Sequence, residues 1–164
     1  MAATLQQILL APDTRPQVIA DAYTLLEREL AEKSGVSGTA VKVAYKTVNT
    51  VKPGHIRYMV ESLFPDMVEK LEPYWADFSA TDGSAFGDYL AGRGEEVSQD
   101  LLLVTDARAA ASSRPTVIKA YRTVRNSAAK HVQAALPQVA DLVLKYALWR
   151  GETAVSLRSG GAAG

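Results

Sequence analysis

His55 and His131 are the two histidines of the chain, and by type they are the side chains best suited to acid–base or metal chemistry. They stand in matching places. Ala44-Tyr45-Lys46-Thr47-Val48 precedes the first, and Ala120-Tyr121-Arg122-Thr123-Val124 precedes the second at the same spacing. Two imidazoles supply half of a tetrahedral zinc site, but no Asp or Glu lies at helical spacing beside either one to complete it. Tyr45 and Tyr121 fall inside apolar stripes, which favours rings in the core and hydroxyls at its rim. With His55 and His131 they would line a pocket between two halves of the molecule, the place for a small-molecule carrier or enzyme site. Gly92-Arg93-Gly94 and Gly35-Val36-Ser37-Gly38 lack both the preceding strand of a dinucleotide fingerprint and the Gly-Lys-Ser/Thr ending of a P-loop, so they read as turns. No Gly-x-Ser-x-Gly elbow presents a serine. Asp66, Glu69 and Glu72 share one helix side away from Met67, Leu71 and Trp75. They read as a solvated run and not as the desolvated carboxyl that general acid catalysis needs. The expectation is no catalytic residue, no metal and no cofactor.

Composition narrows the classes further. The 164 residues include no cysteine, which excludes disulfides, thiolate catalysis and Cys-ligated metal. Eighteen basic residues balance eighteen acidic ones, but the charges are segregated. Residues 33–60 hold five basic and no acidic side chains, residues 107–140 six and none, and residues 61–106 two against eleven. Lys42, Lys46, Lys52 and Arg57 in the first basic segment, with Lys119, Arg122, Arg125 and Lys130 in the second, are the candidate polyanion-binding residues. A surface of this kind would attract phosphates and weaken with salt. No apolar run has the length of a membrane span, and the N-terminus, Met1 to Leu10, lacks both a basic n-region and a cleavage-like site, so a cytoplasmic protein without a membrane partner is expected.

The elements that must position these residues are helices. From Arg15 to Lys33 the apolar positions Val18, Ile19, Ala22, Leu25, Leu26 and Leu30 follow i, i+3, i+4, i+7 spacing. Asp13 or Thr14 is the expected cap and Pro16 suits the first turn. Val41, Ala44, Tyr45 and Val48 form the next stripe, closed by Pro53-Gly54. Ile56, Met59, Val60 and Leu63 form a third, and Met67, Leu71, Trp75 and Phe78 a fourth after Pro65. No stretch alternates at strand period. The fold class is all-α.

The Tyr-helix match at an offset of 76 residues extends to Leu25-Leu26 with Leu101-Leu102. After small gaps it includes Phe64-Pro65 with Leu136-Pro137, Tyr74 with Tyr146, and Leu5…Leu9 with Phe86…Leu90. Each half then reads as five helices: short, long, Tyr-bearing, His-bearing and Pro-started. The expected architecture is one globular helical domain, 1–150, built by internal duplication from halves at about 3–80 and 84–150. A linker runs through Ser79–Ser84, and a flexible C-terminal tail covers 151–164.

Several segments carry a resemblance: Lys33-Ser34-Gly35-Val36-Ser37-Gly38, Phe64-Pro65-Asp66 through Leu71-Glu72-Pro73-Tyr74-Trp75, Phe86-Gly87-Asp88-Tyr89-Leu90, and Thr105-Asp106-Ala107-Arg108 through Ser113. Over about residues 4–147 the chain resembles a family of small uncharacterised all-helical proteins of high-GC Gram-positive bacteria. The resemblance implies a helical fold in a bacterial cytoplasm and transfers no activity and no site residue. The leading functional expectation is a non-catalytic helical binding or scaffold protein, self-associating or bound to a protein partner. The alternatives are nucleic-acid or polyanion binding through segments 33–60 and 107–131, and a small-molecule pocket between the halves.

Overall fold

A computed structural model describes the backbone of residues 3–32, 35–80 and 85–161, and the side chains within those ranges except at 36, 37 and 149–161. The described residues form seven helices: α1 Leu5–Leu9, α2 Arg15–Glu32, α3 Gly35–Val51, α4 His55–Ser79, α5 Phe86–Gly92, α6 Gly94–Ala110 and α7 Pro115–Gly161. The expected linker falls largely on residues outside this description, as do the side chains of the expected tail.

Local chemistry starts the first two helices. Thr4 and Gln7 form a reciprocal capping box on α1, the Gln7 amide donating to Thr4 Oγ1 at 3.1 Å and the Thr4 amide to Gln7 Oε1 at 3.0 Å. The remaining free amides of α1 are met from a distance: Leu5 and Gln6 donate to the Glu72 carboxylate at 2.9 and 3.2 Å. Glu72 therefore does not belong to a merely solvated acidic run. At the start of α2, the buried Thr14 donates its hydroxyl to the Ala11 carbonyl at 3.3 Å, while its own carbonyl accepts from the Val18 amide at 3.0 Å.

Seven helices stand where ten were expected, because the His-bearing and Pro-started segments fuse in both halves and the second Tyr-bearing segment joins them in α7. Pro65 and Pro73 lie inside α4, and Pro137 lies inside α7. An interior proline removes one ladder hydrogen bond and crowds the carbonyl four residues back, costing about 3 kcal/mol. Packing on both sides holds the axis through it: Leu63, Val68, Leu71, Tyr74 and Trp75 flank the α4 prolines, while Leu136, Ala140, Val143 and Tyr146 flank Pro137.

These residues and α1, α5 and α6 make the core. Leu5, Ile8, Leu9, Val18, Phe86, Leu90, Val97 and Leu101 close it, and Trp75, Phe86, Phe78 and Tyr89 pack in that order along one side, edge-on or tilted, with ring centroids 5.0–5.7 Å apart between successive partners. Burying each such aromatic or Leu side chain contributes about 2–3 kcal/mol. The Trp75 indole donates to the Ala3 carbonyl at 2.8 Å, tying the N-terminus down. Two further ties use matched tyrosines: the Tyr74 hydroxyl of α4 donates to Asp100 of α6 at 2.5 Å, and the Tyr146 hydroxyl of α7 donates to Asp21 of α2. α3 and residues 115–131 of α7 contribute nothing to this core cluster, and α3 packs against α7.

Candidate functional site

The start of α4, the end of α6 and the start of α7 converge on a cavity of about 290 Å³. Its apolar lining comes from Met59, Ala109, Ala111 and Val117, and its polar lining from His55, Arg108, Ser112, Ser113, Arg114, Thr105 and Tyr121. None of these lining residues is acidic. Three local features set the shape. Lys52-Pro53-Gly54 ends α3 and starts α4 at His55, with Gly54 in the left-handed region at φ 78°. Ala111–Arg114 breaks the chain between α6 and α7, where Pro115 occupies the first helical position. Arg108 is steadied by donating from Nη2 to Ser62 Oγ of α4 at 2.7 Å.

His55 brings an imidazole whose Nδ1 is buried and makes no hydrogen bond among the described residues. Burial holds its pKa below the usual value of 6.5, reinforced by the positive charges of Lys52, Arg114 and Arg108. Tyr121 is fixed on the opposite side. Its hydroxyl donates to Asp106 and shares a 2.7 Å hydrogen bond with Thr105. Burial together with the Asp106 carboxylate pushes its pKa up to about 12. Arg125 grips that same carboxylate with two bonds, Nε to Oδ1 at 2.7 Å and Nη2 to Oδ2 at 3.0 Å. The Arg125 hydrogen bond, opposed by burial and aided by Tyr121, keeps the Asp106 pKa below the ordinary carboxylate value.

The four residues expected to share an inter-half pocket are distributed. His55 and Tyr121 line the cavity just described. Tyr45 lines a second one of about 270 Å³ with Glu27, Leu30, Ala31 and Lys42, and its hydroxyl shares a 3.3 Å hydrogen bond with Tyr23. His131 lies within α7, away from a helix start, and lines neither cavity. Of the eight basic candidates, Lys42, Lys46, Lys52, Arg57, Lys119, Arg122 and Lys130 are exposed. The Arg57 guanidinium sits 5.6 Å from the centre of the Tyr23 ring. Arg125 is half-buried and committed to Asp106, which removes it from the set free to meet a ligand.

Sequence reasoning passed over Arg108 and Arg114 as ligand contacts. Their signal was present in the acid-free segment 107–140, but nothing local showed that they would meet His55. The Gly92-Arg93-Gly94 turn is a structural joint, with Arg93 over the Tyr89 ring at 4.0 Å. Among the described residues no cluster of three or more His, Asp or Glu side chains is placed to hold a metal, and no helix is long and apolar enough to cross a membrane.

The model of a family described as a family of unknown function, DUF6918, matches residues 5–147, and the chain belongs to that family. No curated protein matches it. No solved structure matches it either.

Proposed function

We propose that this member of a family of unknown function is a non-catalytic binding protein, holding a small anion with an apolar portion in the cavity between α4, α6 and α7. The observation that carries the reading is the lining: two guanidiniums and an imidazole surround an apolar floor with no carboxylate among them. A guanidinium offers parallel N–H donors to carboxylate or phosphate oxygens, and Met59, Ala109 and Val117 cover the rest of the ligand. A volume of about 290 Å³ suits a molecule of metabolite size.

The surroundings of His55 favour binding over catalysis. A general base paired with serine is oriented by a carboxylate, whereas the charges bearing on His55 are those of Lys52, Arg114 and Arg108. The same reading takes the two halves as copies of one unit. The reciprocal ties support it, because Tyr74 of the first half reaches Asp100 of the second and Tyr146 of the second reaches Asp21 of the first.

Native mass spectrometry of the full chain, purified gently at low salt from its own cells, tests the proposal. The expected result is an added mass on the wild type that Arg108→Gln/Arg114→Gln loses while keeping its helicity. A wild type that flies bare, or a double variant that keeps the adduct, overturns it.

A further inference from the structure

The two helices that carry the acid-free segments of the chain pack against each other. α3 packs against α7, and neither residues 35–60 nor residues 107–140 contain an Asp or Glu. On α3 the exposed residues Thr39, Lys42, Lys46 and Asn49 fall on one side of the helix. On α7 the exposed residues Lys119, Arg122, Asn126 and Lys130 follow i, i+3, i+7, i+11, a stripe about 16 Å long at 1.5 Å per residue. None of these five cations forms an ion pair with another described residue. Asp106, the carboxylate just before the second acid-free segment, is already held by Arg125.

This chemistry is that of phosphate contact. Lysine and arginine neutralise the phosphates, and the side-chain amides of Asn49 and Asn126 can donate further hydrogen bonds to their oxygens. A membrane surface fits less well, because Val43 is the single large apolar side chain exposed between the α3 lysines and the α7 stripe carries none. A single strand would need aromatic faces to stack on. Tyr45 and Tyr121 are half-buried and hydrogen-bonded inward. The geometry points to the outer faces of α3 and the first half of α7 as a docking surface for the phosphate backbone of a nucleic-acid duplex, engaged without sequence preference. The surface lies outside the cavity of α4, α6 and α7 and does not rest on the ligand proposed there.

Fluorescence anisotropy with a labelled duplex of about 20 base pairs and the full chain tests it. Five neutralised phosphates give a slope of log K against log salt of about −4.5, so affinity falls about 500-fold between about 50 and about 200 mM salt. Two duplexes of unrelated sequence should bind within about twofold of each other, since phosphate contacts carry no base information. Lys46→Glu/Arg122→Glu should abolish binding at the lower salt with unchanged helicity. Lys42→Gln/Lys119→Gln, a milder pair that decides the matter if the first fails to fold, should reduce the slope by about 2. Arg108→Gln/Arg114→Gln should bind the duplex as the wild type does. The proposal is overturned by a wild type that does not bind at low salt, by face variants that bind normally, or by a cavity variant that loses as much as they do. Stronger binding to phosphatidylglycerol vesicles than to the duplex overturns it as well.

Discussion

Ala44–His55 and Ala120–His131 begin alike and end in opposite ways. In the first segment the helix stops at Val51: Gly54 takes φ 78°, its amide reaches Asn49 Oδ1 at 3.4 Å, and the His55 amide bonds the Lys52 carbonyl. In the second segment the matching positions hold Ala128-Ala129-Lys130, all good helix formers, and α7 runs straight through. A Pro-Gly pair thus decides whether the chain folds back. It places His55 at a helix start facing a cavity and leaves His131 in mid-helix. It also ends α3, the helix that packs against α7.

The two ends of the molecule differ in packing as well. The core end buries whole side chains of α1, α4, α5, α6 and α7, whereas no described hydrophobic side chain of α3 is fully buried and Val43 is 58% exposed. Stability resides at the first end, and the space and free charge for ligands lie at the second.

Four changes sharpen or break this contrast. Leu136→Ala, at a site with 0% exposure, should cost about 4 kcal/mol, while Val48→Ala on half-buried α3 should cost about 1. Equal shifts in urea midpoint would erase the distinction between the ends. Ala129→Pro transplants the breaker into α7 and should cost about 3 kcal/mol, seen in the same denaturation and as lost helical circular dichroism. A wild-type midpoint would show that the breaker does not decide the path. Gly54→Ala forces a β-carbon into the left-handed region and should cost about 1 kcal/mol, with no steric clash because nothing lies within 4 Å of that position. An unchanged melting temperature would remove the glycine from the argument.

The smallest effect is in pH. Because the folded pKa of His55 is lowered, its protonation opposes folding. That cost is absent above the ordinary value and grows as pH falls through 6.5 toward the folded value. Asp106 acts with the same sign at lower pH: its depressed pKa supplies stability above the ordinary carboxylate value of 3.8 that is lost as pH falls through the folded one. Between about pH 7.5 and about pH 5.5 the wild-type midpoint should drop more than that of His55→Gln, and parallel drops would remove His55 as the cause.

Helical period made the fold class legible, since the stripes containing Val18, Leu63, Leu71 and Trp75 did turn inward. The Pro53-Gly54 stop was equally legible, because both residues act within one turn of the backbone. Sequence wrongly read Pro65 and Pro137 as helix starts, since a proline suits a first turn on local grounds alone. The candidate site was legible only in its charge. The absence of acids at 33–60 and 107–140 is visible in the chain, but which cations stay free is not.

The chain by itself determined where helices form, which of their faces are apolar and where the charges gather, because these depend on neighbours three or four residues away. Only the tertiary structure decided that Glu72 caps α1 from 67 residues off, that Arg125 is taken by Asp106 at a separation of 19, and that His55 meets Arg114 across a cavity while His131 does not. Those partners are chosen by how helices pack, and packing sums weak contacts over the whole core, a quantity no local spacing encodes.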